Sequence, residues 1–240
     1  MEELTKIAAI EAHSSEIDEV KLPQVHAYNC LKDIFKNATL TALGKKSEQY
    51  LPQCLELAAQ GLRSEVWAIR NCSLILLRSL VDCLFRSHDS KAVMEAGWDG
   101  RATRINYNRY PKFPEVLLGL LRAGQDVLSN RPEHQTAAES VFPALDIIRR
   151  AGPPDSLRNE IYSHVVVYLS SPVWHVREMA ARTLCSCLLH ENWLVELEAL
   201  VDSTRFQQSQ NYVHGVLLTT KLTLERRQEI NSTSFYGKSI

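Results

Sequence analysis

The sequence lacks the phosphate-cradling glycine loops G-x-G-x-x-G and G-x-x-x-x-G-K-[ST], and it has neither H-E-x-x-H nor G-x-S-x-G. Nucleotide-driven, zinc-hydrolase and serine-hydrolase chemistries thus lose their usual signatures. No apolar run is long enough to cross a bilayer, which needs about 18 residues. No stretch alternates apolar and polar residues long enough for a strand; His164–Leu169, "HVVVYL", lies between helical periods and reads as buried helix. Lys and Arg number 27 against 28 Asp and Glu, a net charge of −1, so no global basic field advertises nucleic acid. Any contact with RNA must come from a local patch.

Glycine and proline are also scarce, nine of each in 240 residues, and the prolines fall mostly at segment edges, as helix punctuation does. Pro52 is expected in a first turn and Pro143 at a kink. The six cysteines (30, 54, 72, 83, 185, 187) sit in apolar, helix-like stretches, and no apolar leader follows Met1. The expectation is a soluble cytoplasmic protein with free thiols. Cys185, Cys187 and His190 suggest a metal, but residues two apart on a helix point to opposite faces and no C-x-x-C partner exists. Cys30 and His26, one turn apart on what reads as a buried stripe, have no third residue to orient them. The chain is therefore expected to be no enzyme and to hold no metal or cofactor.

What is present is helical periodicity. In "PQVHAYNCLKDIF" Val25, Tyr28, Leu31, Ile34 and Phe35 form one apolar stripe. "EVWAIRNCSLILLRSLVDCLF" is apolar around most of its circumference, which predicts burial on several sides. Helical periods return near 113–128, 132–151, 155–170, 173–189, 192–206 and 209–226. The pattern breaks only over 88–112. The division expected is a partial N-terminal helix and turn (1–22), a helical repeat domain (23–226) and a polar, disordered tail (227–240).

One phrase is written twice: "SEVWAIRNCSL" at Ser64–Leu74 and "SPVWHVREMAA" at Ser171–Ala181. A short turn, a valine, an arginine four residues on and then small aliphatic residues resemble the opening of the second helix of a HEAT repeat. The distance between the copies fits two to three helix pairs of roughly 40 residues. The fold expected is all-α, an armadillo/HEAT-like α-solenoid of stacked antiparallel helix pairs. Val66 and Val173 should plug the core between helices. Arg70 and Arg177 should bond carbonyls or an acid of the neighbouring repeat, and Trp67 and Trp174 should pack.

One stretch stands out for charge. "GRATRINYNRYPKF" (Gly100–Phe113) carries Arg101, Arg104, Arg109 and Lys112 without an acid, interleaved with Tyr107, Tyr110 and Phe113. Cations reach phosphates and aromatic rings stack on unpaired bases, so Arg101, Arg104, Arg109, Lys112 and Tyr107 are candidate RNA contacts. A helix connector with solvated arginines is the alternative.

Four ordered phrases, at 23–40, 64–85, 109–121 and 211–224, resemble the domain of unknown function DUF2428 of the thyroid adenoma-associated protein family. The resemblance covers about 20–225 and implies an armadillo/HEAT-like scaffold that is not itself a methyltransferase. Fungal members of that family regulate an S-adenosylmethionine-dependent tRNA 2'-O-methyltransferase of Rossmann fold, which modifies the first nucleotide of the anticodon loop. The partners implied are that enzyme and tRNA; a generic HEAT-type interaction module with no RNA role is the rival reading. Family proteins are several times longer, so the chain is expected to be a fragment with solenoid missing on both sides. The Arg-rich motif that members carry just before this region has no counterpart upstream of Pro23. The resemblance also assigns structural roles to Gln24, His26, Asn29, Arg70, Asn71, Asn211 and His214, as hydrogen-bonding groups within the stack, and to Gly215, as a point of close helix approach.

Overall fold

Among the described residues proline sits in the first turn of four helices, at Pro23, Pro52, Pro114 and Pro143, where its missing N–H has no intrahelical partner to lose. Pro143 therefore makes no kink: its helix begins at Phe142. The computed structural model describes residues 1–11, 22–37, 49–85, 97–100, 102–130, 141–190 and 192–236, with side chains omitted at 126–130 and 233–236. Within these the α-helices are α1 Glu2–Ala8, α2 Pro23–Lys36, α3 Leu51–Gly61, α4 Trp67–Phe85, α5 Phe113–Asn130, α6 Phe142–Ala151, α7 Arg158–Tyr168, α8 Trp174–Cys187, α9 Trp193–Val201, α10 Thr204–Gln208 and α11 Gln210–Tyr236. No strand occurs among the described residues.

The packing partners arrange these helices in two rows. In the first row α1 packs on α3, α3 on α5 and α5 on α7; in the second α2 packs on α4, α6 on α8 and α8 on α11. Rungs join them: α1 to α2, α3 to α4, α5 to α6, α7 to α8 and α9 to α11. This is the α-solenoid expected from the repeated phrase. Side chains staple successive pairs through backbone carbonyls. Tyr28 of α2 donates to the Leu57 carbonyl at 3.0 Å, Tyr168 of α7 donates to the Leu121 carbonyl, and Thr183 of α8 donates to the Leu145 carbonyl at 3.0 Å.

The second-row helices share an unusual start. Leu22, Val141 and Val173 are the N-caps of α2, α6 and α8, and Val66 precedes α4. Leu22, Val66 and Val141 are buried, and Val173 is partly so. Polar N-caps are usually preferred by about 1 kcal/mol, but burying an aliphatic side chain contributes about 1.5–3 kcal/mol, so packing prevails. At α4 and α8 a serine two residues back supplies a polar partner: the Ser64 Oγ accepts from the Val66 N–H and the Ser171 Oγ from the Val173 N–H, both at 3.2 Å.

Arg70 and Arg177 complete this start in duplicate. Arg70 Nη1 donates to the carbonyls of Ser64 and Glu65 at 2.7 and 2.9 Å; Arg177 Nη1 donates to those of Ser171 and Pro172 at 2.5 and 3.1 Å. The acceptors lie in the turn that opens the same helix, not in the neighbouring repeat, because a long side chain in the first turn of a helix is directed back toward its N-terminus.

Three further expectations give way. Helix α4 is apolar around most of its circumference, yet Leu74 and Ile75 are exposed. The expected helix over 192–206 breaks at Asp202, and Ser203 caps the short α10 by accepting from the Arg205 N–H at 3.3 Å. Order does not stop at 226: α11 continues to Tyr236, anchored by Arg226 on the Gly97 carbonyl (3.3 Å) and by Arg227 on the His190 carbonyl (3.3 Å) and over the Trp193 ring (4.7 Å).

Candidate interaction surface

The irregular segment after Gly97 is built as a cap on the C-terminal end of α6. The last carbonyls of a helix have no partner within it, and this segment supplies donors. The Trp98 N–H donates to the Arg149 carbonyl and the Arg104 N–H to the Ala151 carbonyl, both at 2.9 Å, and the Tyr107 hydroxyl donates to the Gly152 carbonyl at 2.7 Å. Gly152 is required here: its φ is +84°, and a Cβ would stand 2.6 Å from the buried Trp98 ring.

Capping occupies much of the basic, aromatic stretch that the sequence marks for RNA. Arg104 Nη2 donates to the Gly97 carbonyl at 3.1 Å. The Tyr107 ring stacks on buried Phe113 with centroids 6.1 Å apart, and burial pushes its hydroxyl pKa up, so it stays a neutral donor at any ordinary pH. Tyr107 is thus a packing residue rather than an open stacking platform. Arg109, its guanidinium 5.8 Å from the Tyr110 ring centroid, and Lys112 lie at the surface. Arg101 lies outside the described residues.

The twin tryptophans correct the packing expectation. Trp67 is 62% exposed and Trp174 48%, each the first residue of its helix. Phe142 holds the same place in α6 and is partly buried. In each phrase the residue before the aromatic is directed into the core, which turns the aromatic outward. Trp174 keeps an edge-on contact with His175, their ring centroids 5.0 Å apart.

The remaining motif residues divide. Buried Gln24 donates to the Ile10 carbonyl at 3.3 Å and Asn29 Nδ2 to Cys72 Sγ at 3.7 Å. His26, Asn71 and His214 are exposed, and Asn211 is half-buried. A Cβ on Gly215 would stand 2.6 Å from the Leu169 carbonyl oxygen, so α11 crosses the turn between α7 and α8 at backbone contact. The buried stripe of α2 consists of Gln24, Ala27, Tyr28, Leu31 and Phe35, which leaves His26 and Cys30 together on the solvent face. Burial pushes the Cys54 and Cys187 thiols up to about 12, too high for appreciable thiolate at neutral pH. Among the described residues no group of three His, Cys, Asp or Glu residues could hold a metal, and no helix is long and apolar enough to cross a membrane.

A cleft that sequence reasoning missed opens beside the cap. About 400 Å³ in volume, it is lined by Gly97, Trp98, Arg149, Arg182, Arg226 and Glu229 among others. Arg149 pairs with Asp146 at 2.8 Å, and Arg182 with Glu178 and Arg226 with Glu229 at 2.9 Å. The pairing leaves no net positive field for a polyanion. Its arginines come from α6, α8 and α11, so only the packing of those helices brings them together.

Two family models match the chain. The one described as "THADA/TRM732, DUF2428" matches residues 1–68, and "Trm732, C-terminal TPR repeats" matches 70–223. Their boundary falls in the first turn of α4, with no break in packing. The chain is 28% identical over 254 residues to the tRNA (32-2'-O)-methyltransferase regulator trm732 of Schizosaccharomyces pombe, covering 91% of the chain and 16% of that protein. To the tRNA (32-2'-O)-methyltransferase regulator THADA of Homo sapiens it is 30% identical over 209 residues, covering 82% and 10%. For the protein of that name in Gallus gallus the figures are 28% over 218 residues, covering 85% and 11%. The chain thus spans about a tenth to a sixth of the length of these curated relatives. The relatives are named as regulators of the methyltransferase rather than as the enzyme. No solved structure matches.

Proposed function

The chain belongs to the THADA/Trm732 family, and from that membership we propose that it is a non-catalytic scaffold segment of a regulator that binds a tRNA 2'-O-methyltransferase and promotes methylation in the anticodon loop. The observation that carries the reading is the succession of two family models along one two-row helical stack. Such a stack offers an extended surface on which two partners can be held together. The proposed partner is the enzyme, in the cytoplasm, with tRNA as a further ligand reached by Arg109 and Lys112. The near-zero net charge and the internally paired cleft favour the rival reading, a protein-interaction module with no RNA role.

Co-purification with the cell's own anticodon-loop 2'-O-methyltransferase separates these readings, followed by tRNA binding at low and high salt. Retention of the enzyme supports the scaffold. Each phosphate contact contributes about one unit to the slope of log affinity against log salt, so Arg109→Ala with Lys112→Ala should reduce that slope by about two. An unchanged slope removes the proposed tRNA contact, and failure to retain the enzyme leaves the interaction module.

A further inference from the structure

Helices α9 and α11 enclose an open apolar groove of about 530 Å³, lined by Trp193, Leu194, Leu197, Val201, Thr220 and Leu224 together with the acids Glu198 and Asp202. Leu197 is buried toward the body of the stack, whereas Leu194 (55% exposed), Val201 and Leu224 (51% exposed) face water. Their spacing suits a helical occupant. Leu194 and Val201 lie seven residues apart on one wall, and Leu217, also exposed, and Leu224 lie seven apart on α11. Two such ridges receive the side chains of a third helix laid between them. Trp193, one of the lining residues, packs against Arg227, whose guanidinium lies 4.7 Å from its ring centroid.

Charge decides the kind of helix. Glu198 and Asp202 are exposed and make no ion pair among the described residues, whereas nearby Glu196 is engaged by His190 at 3.1 Å and Lys221 by Glu225 at 3.8 Å. Among the described residues no lysine or arginine lines the groove. An apolar trough with an acidic rim complements an amphipathic helix that carries lysine or arginine beside its apolar stripe. We propose that the α9/α11 groove is a docking site for a basic amphipathic helix of a partner protein. This assignment stands apart from the regulator reading and survives its failure.

Three fluorescent helical peptides of about five turns test it. One carries leucines at i, i+3, i+4 and i+7 with lysine flanks, the second the same leucines with glutamate flanks, and the third lysine flanks with the leucines replaced by serine. Fluorescence anisotropy should show the first binding about tenfold more tightly than the second, a difference of about 1.4 kcal/mol, with the advantage fading at high salt. Glu198→Gln with Asp202→Asn should bring the first two peptides to similar affinity. Leu224→Ser should release both, and because Leu224 is half exposed that variant should keep the parent's circular dichroism spectrum. Equal binding of the first two peptides by the unsubstituted chain overturns the proposal, as does tight binding of the third or indifference to Leu224→Ser. A dimer in sedimentation that Leu224→Ser dissolves also overturns it, by assigning the groove to a second copy. Protection of Leu194 and Leu224 from footprinting reagents in the natural full-length protein alone would assign it to that protein's own helices, with the same consequence.

Discussion

Arg70 and Arg177 make the same two bonds in different surroundings, which separates the strength of a bond from the consequence of breaking it. Arg177 is buried and Arg70 is half exposed. Replacing Arg177 with alanine leaves the buried Ser171 carbonyl, and the part-buried Pro172 carbonyl beside it, short of a charged donor; hydrogen bonds to charged groups contribute about 1.5–3 kcal/mol. At Arg70 water can take over. Urea unfolding should show Arg177→Ala destabilised by about 2–3 kcal/mol and Arg70→Ala by about 1 kcal/mol or less. Equal losses would mean that both arginines act by filling space. The repeated phrase in the sequence discloses the valine and the arginine, since their spacing fixes them on one flank of a helix start. It does not disclose the outward turn of Trp67 and Trp174, because at the first residue of a helix periodicity cannot tell which flank the next element covers.

At the scale of elements the glycines show what helical periodicity leaves out. Gly119 in α5 and Gly215 in α11 are both helix-interior glycines, a position that costs about 1 kcal/mol relative to alanine. A Cβ at Gly119 would meet nothing within 4 Å, whereas one at Gly215 would press on the Leu169 carbonyl at 2.6 Å and its Cα at 3.0 Å. Gly119→Ala should therefore raise stability by about 0.5–1 kcal/mol, and Gly215→Ala should lower it by about 1–3 kcal/mol, because backbone cannot move aside as a side chain can. Opposite shifts in thermal midpoint would establish this; a stabilised Gly215→Ala would show that α11 does not sit on the α7–α8 turn as described. Helix identity was legible from the 3.6-residue pattern and its proline punctuation. Less legible were the ends of helices set by distant partners, such as α11, whose final turns follow an anchor that Arg226 and Arg227 make with Gly97, His190 and Trp193. The apolar girth of α4 likewise predicts neighbours on more sides than the described helices provide.

For the whole molecule, the two-row plan makes stability local, because each helix pair touches only the pairs beside it. The rows are not uniformly joined. In the first row α3 packs on α5, but in the second α4 and α6 do not share the broad packing that joins α6 to α8. Among the described residues a side-chain link between them is Arg150, which lies 4.2 Å from the Phe85 ring centroid and is held by Asp146 at 3.2 Å. Arg150 is buried, and among the described residues its Nε and Nη2 have no hydrogen-bond partner, so the Phe85 ring is a substantial part of what stabilises that charge. Such a seam divides the stack into α1–α4 and α5–α11, units whose opening free energies need not agree. Native-state hydrogen exchange should show two protection levels that change between α4 and α6. Phe85→Ala, by removing the ring and the packing of a half-buried aromatic, should weaken protection by about 1–2 kcal/mol in α4 and α6 and leave the interface of α8 with α11 within about 0.5 kcal/mol of the parent. If all helices lose protection together, the stack is one cooperative body and the seam carries no energetic boundary. If only the two flanking helices respond, a partner bound across the seam would stabilise the protein by joining units that the fold leaves loosely coupled, which is a physical route by which a scaffold senses what it holds.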